Sequence, residues 1–216
     1  MNKILTGAFV SIAGMFIAGS AIAGGHDSCG EITIAEMDWA SAELIANIDK
    51  IILEEGYGCS VELIPGATMT TFASMDTKGV PDVAPELWAN AVQTPLAKAE
   101  EEGRLFMLNG APITGAGEGW MISTKVMQEN GLTTLADVLE RPDLFPHPED
   151  SSKGGIVTCP SGWGCQIATN QLFKAFDMEA KGWMLIDSGS SAGLNGSIEK
   201  AITRDEAWFG YYWGPT

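Results

Sequence analysis

The chain has 216 residues and a formal charge of −16, because 28 aspartates and glutamates outnumber 12 lysines and arginines. Such an acidic surface repels nucleic acid and anionic membranes, and its field favours cationic ligands. The length fits one large domain or two small ones, and a hydrophobic fraction of 45% is enough for a core.

The first 23 residues have the pattern of a secretory signal peptide. Lys3 precedes an apolar stretch, and a small-residue A-x-A motif ends at Ala23. We therefore predict cleavage after Ala23 and export, most simply into a Gram-negative periplasm. A lipid anchor is not expected, because the first cysteine, Cys29, lies beyond the predicted cleavage point.

Four cysteines follow the signal peptide, and an oxidising compartment would let them form disulfides. They can pair in three ways, of which the sequential way joins Cys29 to Cys59 and Cys159 to Cys165. A zinc site is the alternative, but the spacing is not C-x-x-C and the chain has only two histidines. We predict neither a metal nor a cofactor.

Apolar periodicity predicts alternating strands and helices in the first half of the chain. A helix is predicted at 41–56, with an apolar face of Leu44, Ile48, Ile51 and Ile52. The other predicted elements are strands at 31–39 and 59–66, a polar helix before a strand at 80–88, a helix at 89–102 and a strand at 104–110.

The alternation resumes after the glycine-rich segment GAGEG. The second half comprises the segment 119–127, a short helix at 133–140, a loop at 141–155, a strand from 156, a helix at 166–176, a strand at 183–188, a helix at 194–204 and a strand at 207–213. This order predicts an α/β architecture with mainly parallel sheets.

Four tryptophans lie at or just past the carboxyl ends of predicted strands, namely Trp39, Trp88, Trp163 and Trp213. In open α/β sheets the loops at that edge form the ligand crevice. A quaternary ammonium group has no N–H to donate, and each indole face attracts it by about 0.5–2 kcal/mol. The four tryptophans therefore predict a binding site for such a cation.

The stretch CPSGWGC, residues 159–165, holds Trp163 in a small loop between two cysteines. Because a helix is predicted next, the loop also presents the N–H groups of Gly164 and Cys165 at a helix N-terminus. Helix N-termini attract carboxylates through such unpaired donors. A ligand with a quaternary ammonium at one end and a carboxylate at the other fits both features.

Three stretches, CPSGWGCQIA, SSAGLNGSIEKAI and YYWGPT, resemble the periplasmic glycine betaine and proline betaine binding proteins of ABC importers. The resemblance runs over about residues 32–216. It implies an aromatic box of Trp88, Trp163 and Trp213, carboxylate recognition by the amides of the cysteine loop, and a disulfide across that loop. It also implies a permease with its ATPase as partners, and we expect a monomer that performs no chemistry.

The family fold consists of two α/β lobes joined by two crossover strands, with the ligand clamped in the cleft between them. The resemblance thus implies a type II-like solute-binding fold, with lobe one at 24–114 and lobe two at 115–209. Residues 210–216 would begin the return crossover. We therefore expect lobe one to be incomplete and the chain to be a C-terminally truncated fragment.

Two features depart from the family pattern. Some members carry a histidine for the ligand carboxylate one helical turn after the counterpart of Trp88, and this chain has Val92 there. Asp38 and Glu118 also lie near the predicted cleft. Acidic groups in that place would suit choline, carnitine or trimethylamine N-oxide, which offer a hydroxyl or an oxide, as alternative ligands.

Two further functions can be weighed from the sequence. GSSAG places Ser191 in a G-x-S-x-G motif between a predicted strand and helix, as in a secreted serine hydrolase. In hydrolases with this motif the catalytic histidine follows the serine along the chain, and no histidine follows Ser191 in this sequence. Asp143, Glu149 and Asp150 carry oxygens that suit calcium, but their spacing matches no calcium motif, so a solvated acidic loop is predicted.

Overall fold

A computed structural model of the chain describes residues 29–108 and 116–214. The predicted signal peptide and its cleavage site at Ala23 lie outside the described residues. Within the described ranges, no helix is both long and apolar enough to cross a membrane.

The first region of the structure is built on two parallel strands. Its elements are β1 (Glu31–Met37), α1 (Ala40–Ile51), β2 (Ser60–Gly66), α2 (Thr68–Lys78) and α3 (Gln93–Glu101). β1 and β2 pair along their whole length. The disulfide Cys29–Cys59 ties the amino ends of the two strands together, which confirms the sequential pairing for these cysteines.

The second region is a four-stranded sheet with helices. Its elements are β3 (Gly117–Ile122), α4 (Thr124–Glu129), α5 (Leu135–Leu139), β4 (Gly154–Val157), α6 (Gly164–Ala175), β5 (Trp183–Ile186), α7 (Ser191–Arg204) and β6 (Phe209–Gly214). The strand order is β3–β6–β4–β5. β4 is parallel to both neighbours and β3 is antiparallel to β6, so the predicted mainly parallel α/β architecture is confirmed.

The apolar face predicted for the first helix is wrong. The buried positions of α1 are Ala42 and Ala46. Ala46 packs in one core with Ile34 of β1 and Val61 of β2. Because the strands supply the large side chains of this core, the helix contributes small ones and lies close to the sheet. The predicted face is 44–62% exposed and consists of Leu44, Ile48, Ile51 and Ile52.

The strands predicted at 80–88 and 104–110 do not form within the described residues. Val83 makes a single bridge to Ile34 of β1, and the prolines on either side of Val83 cannot donate to a strand ladder. Trp88 therefore lies in a loop before a single 3₁₀ turn. The first five residues of the second stretch have no strand pairing, and its last two lie outside the described residues.

Two groups of aromatic residues fill much of the interior. The pocket cluster consists of Trp39, Trp163, Tyr211 and Trp213. The core cluster consists of Phe145, Trp183 and Phe209. Both groups are buried. The pocket cluster takes residues from both regions, whereas the core cluster lies wholly within the second.

Candidate ligand-binding site

A pocket lies where the loops after β1, β2 and β4 meet strand β6. It is lined by Trp39, Thr68, Trp88, Ala91, Glu118, Trp163, Gly164, Cys165, Tyr211 and Trp213. The structure thus brings together all the predicted ligand-binding residues except Asp38. Their role in binding stays a prediction.

The indoles of the pocket meet at steep angles, as adjacent walls of a box do. The ring centroids of Trp39 and Trp163 are 5.1 Å apart with an interplanar angle of 69°. Those of Trp163 and Trp213 are 5.2 Å apart at 76°. Contact of this kind packs the edge of one ring against the electron-rich face of its neighbour.

Carboxylates behind the walls accept the indole N–H groups of three of the four pocket tryptophans. Asp38 Oδ1 accepts from Trp163 Nε1 at 2.7 Å, so Asp38 holds a wall of the pocket and does not line it. Glu86 Oε1 accepts from Trp39 Nε1 at 2.7 Å and from Trp88 Nε1 at 3.0 Å. Sequence reasoning missed Glu86, although it stands two residues before Trp88.

The CPSGWGC loop shapes one end of the pocket. The disulfide Cys159–Cys165 closes it, as the family resemblance implied. Trp163 has an extended backbone and Gly164 begins α6, so the N–H groups of Gly164 and Cys165 have no acceptor within the helix. A side chain at Gly164 would bring its Cβ to 2.4 Å from the Cβ of Ala91, a contact that only glycine avoids.

Glu118 links the two regions at the pocket. Its Oε2 accepts from the Tyr211 hydroxyl at 2.7 Å, and its Oε1 accepts from Asn90 Nδ2 at 3.2 Å. Burial, together with the hydrogen bond to Glu118, raises the pKa of Tyr211. Tyr211 therefore remains a neutral hydroxyl donor well into the alkaline range.

Three pocket residues escaped sequence reasoning, namely Thr68, Ala91 and Tyr211. The sequence does contain a signal for Tyr211, because this residue lies two positions before Trp213 and alternate residues of a strand share a face. No local pattern signals Thr68 or Ala91, whose places depend on the packing of loops. Val92, at the position of the family histidine, is 1% exposed and packs in a separate core.

The alternative functions gain no supporting geometry in the described residues. Ser191 is the first residue of α7, and its neighbour Ser190 caps that helix. The ring nitrogens of His147 meet the Leu185 carbonyl and the Glu149 amide rather than Ser191. In the acidic loop, Asp143 pairs with Arg141 and Asp150 bonds Ser152. Nowhere in 29–108 or 116–214 do three metal-ligating side chains of the His, Cys, Asp and Glu types cluster.

Known proteins share this sequence pattern. The sequence model described as the substrate binding domain of ABC-type glycine betaine transport system matches residues 30–216. Over 112 residues the chain is 24% identical to the glycine betaine/proline betaine-binding periplasmic protein of Salmonella typhimurium. That match covers 51% of this chain and 33% of the Salmonella protein, so the chain spans about a third of that relative.

Solved structures share the fold. Lactococcal OpuAC, closed on glycine betaine, matches with a TM-score of 0.64 at 18% identity, over 87% of this chain and 66% of its own. An ABC-transporter choline binding protein in complex with choline matches with a TM-score of 0.66 at 18% identity, over 87% of this chain and 61% of its own. The predicted two-lobed α/β fold class is therefore confirmed.

The matched family consists of transport proteins that bind a substrate rather than enzymes. The match extends over nearly all of the chain that follows the predicted signal peptide. The chain therefore belongs to the family of substrate-binding domains of ABC-type glycine betaine transport systems.

Proposed function

We propose that the protein is the substrate-binding subunit of an ABC importer and captures glycine betaine, proline betaine or a similar quaternary ammonium osmolyte. The observation that carries this proposal is the meeting of four tryptophans, Trp39, Trp88, Trp163 and Trp213, in one pocket. The relatives named for glycine betaine and choline support it.

In the proposed complex the trimethylammonium group lies against the indole faces. Each good contact contributes about 0.5–2 kcal/mol, and several act together. The ligand carboxylate accepts from the N–H groups of Gly164 and Cys165 at the start of α6. An ordinary ammonium group would lose the water bound to its N–H donors against these apolar walls, so it binds more weakly.

Glu118 favours a second candidate ligand class. Its carboxylate lines the pocket and would repel a ligand carboxylate placed beside it. Choline and trimethylamine N-oxide offer a hydroxyl or an oxide to this end of the pocket, and carnitine offers a hydroxyl besides its carboxylate. They are the alternatives to the betaines within the same transport function.

The proposal extends to the whole protein. We expect export to the periplasm with cleavage after Ala23, delivery of the ligand to a permease with its ATPase, a monomeric state, and no reaction carried out by this subunit. We place lobe one at 24–114 and lobe two at 115–209, with 210–216 entering the return crossover.

Thermal unfolding of the exported protein tests the function. The ligands compared are glycine betaine, proline betaine, choline, carnitine, trimethylamine N-oxide and ordinary amino acids. At a hundred times its Kd, a true ligand stabilises the folded state by about 2.7 kcal/mol, which is a readily measured rise in Tm. Stabilisation by ordinary amino acids alone would refute the aromatic-box proposal. The ranking of betaines against the other quaternary compounds decides between the two ligand classes.

A further inference from the structure

Glu86 stands behind two walls of the pocket without lining it. Its Oε1 accepts three hydrogen bonds, from Trp39 Nε1 at 2.7 Å, Trp88 Nε1 at 3.0 Å and Ser41 Oγ at 3.0 Å. The two indoles come from separate segments, the one before α1 and the other before α3. One carboxylate oxygen thus fixes the orientation of both rings.

Only one oxygen of this carboxylate is hydrogen-bonded in the described residues. Glu86 Oε2 is buried and has no hydrogen-bond partner among the described residues. None of the ion pairs found in 29–108 and 116–214 includes Glu86. A buried acceptor without a partner lowers stability, and a neutral acceptor in the same place would satisfy the three donors without burying a charge. A negative charge is therefore not needed to satisfy the indole and serine donors.

We propose that Glu86 is a positioning residue whose charge makes the pocket prefer a cation over a neutral molecule of the same shape, an inference that rests on the proposed function. An indole N–H that donates to a carboxylate makes a stronger bond than one that donates to a neutral oxygen. Such a bond shifts electron density towards the ring face, which is the surface that attracts a cation. Partial desolvation of the site also leaves the charge of Glu86 weakly screened.

Binding of isosteric pairs tests the preference. Glu86→Gln keeps the side-chain shape and an acceptor oxygen but removes the charge. Titration calorimetry on the exported protein compares choline with 3,3-dimethylbutan-1-ol, and glycine betaine with 3,3-dimethylbutanoate, in which carbon replaces the quaternary nitrogen. We expect the variant to lose about tenfold in affinity for the ammonium member of each pair and none for its isostere. An equal loss for both members, or no loss for either, would overturn the preference.

A ligand-free measurement tests the positioning role by itself. In ¹H–¹⁵N spectra, the indole N–H signals of Trp39 and Trp88 should move upfield in Glu86→Gln, because an amide oxygen accepts more weakly than a carboxylate. Unmoved signals would overturn the inference even if ammonium compounds bind. Moved signals in a protein that binds no ammonium compound would instead refute the proposed function and leave the positioning role standing.

The chain offers matched controls for the spectra. Trp163 is an internal reference, because its Nε1 donates to Asp38 and not to Glu86. Glu118→Gln removes a different carboxylate of the pocket, which accepts from Tyr211 and from no indole. In that variant the signals of Trp39 and Trp88 should keep their positions, and an upfield shift as large as in Glu86→Gln would show that the effect is not specific to Glu86.

Discussion

The pocket cluster and the core cluster use the same kind of side chain and differ in what accepts their indole N–H groups. In the pocket cluster, the ring centroids of the edge-to-face pair Trp163 and Trp213 are 5.2 Å apart. In the core cluster, those of Trp183 and Phe209 are 5.4 Å apart. Trp183 Nε1 donates to the backbone carbonyl of Leu139 at 3.0 Å. The indoles of Trp39 and Trp163 donate to carboxylates instead.

A neutral carbonyl is enough to satisfy a buried donor. The carboxylates around the pocket therefore add a negative charge that packing does not require. The two clusters also differ in how many segments they join, since the pocket cluster takes residues from both regions and the core cluster from one. The pocket cluster is thus distinguished from the core cluster by the charge of its acceptors and by its place between the two regions.

The largest effect is expected from removing the centre of the core cluster. Trp183 is 1% exposed, so Trp183→Ala leaves a cavity and should lower the free energy of unfolding by about 3–5 kcal/mol. Trp163→Ala should cost clearly less, because one side of Trp163 borders the pocket rather than other side chains. Urea unfolding of both variants measures the difference. Equal losses would remove the distinction between the clusters.

For ligand affinity the order of the two variants should reverse, with the larger loss in Trp163→Ala. Trp163→Ala removes an indole face and a wall of the pocket, and we expect a loss of at least about 30-fold in affinity for the preferred ammonium compound. Trp163→Phe should fall between wild type and alanine, because a weaker ring still faces the cation. Trp183→Phe is the control and should bind as wild type does. Titration calorimetry decides, and unchanged affinity in Trp163→Ala would exclude this residue from the site.

The sequence was most informative where topology leaves few choices. Trp163 and Trp213 meet because β4 and β6 are parallel and their carboxyl ends lie at one edge of the same sheet. Glu86 and Ala91 could not be assigned, because loop packing alone brings them to the site. The face of α1 that includes Leu44 was misassigned, because an apolar stripe does not reveal whether the sheet leaves room for large side chains or only for alanine.

The cysteine loop should matter more for binding than for folding. Replacing Cys159 and Cys165 by serine removes a short cross-link, whose loss should lower stability by about 2 kcal/mol. The same change frees Trp163 and the amides at the start of α6, so we expect at least about a tenfold loss of affinity. The matched control replaces Cys29 and Cys59, which lie at the amino ends of β1 and β2, whereas the pocket lies beyond their carboxyl ends. That pair should lose stability while keeping affinity, and the opposite pattern would refute the assigned role of the loop.

The smallest expected effect is a change in folding stability next to the core cluster, and it appears only in acid. Asp137 in α5 accepts hydrogen bonds from the backbone N–H groups of Thr133 and Thr134 at 2.9 and 2.8 Å. These bonds lower the pKa of Asp137 from 3.8 to about 2. A lowered pKa means that the stabilisation is present above the ordinary value and is lost as pH falls from about 4 to about 2.

Asp137→Asn should therefore be less sensitive to acid than wild type over that window, since its side chain does not titrate. α5 also carries Leu139, whose carbonyl holds Trp183, so the change acts on the core cluster. Urea unfolding of both proteins at a series of pH values measures the difference, and titration calorimetry near neutral pH should give equal ligand affinities. Parallel acid profiles would show that Asp137 contributes nothing, and a large loss of affinity would show that the two clusters are coupled.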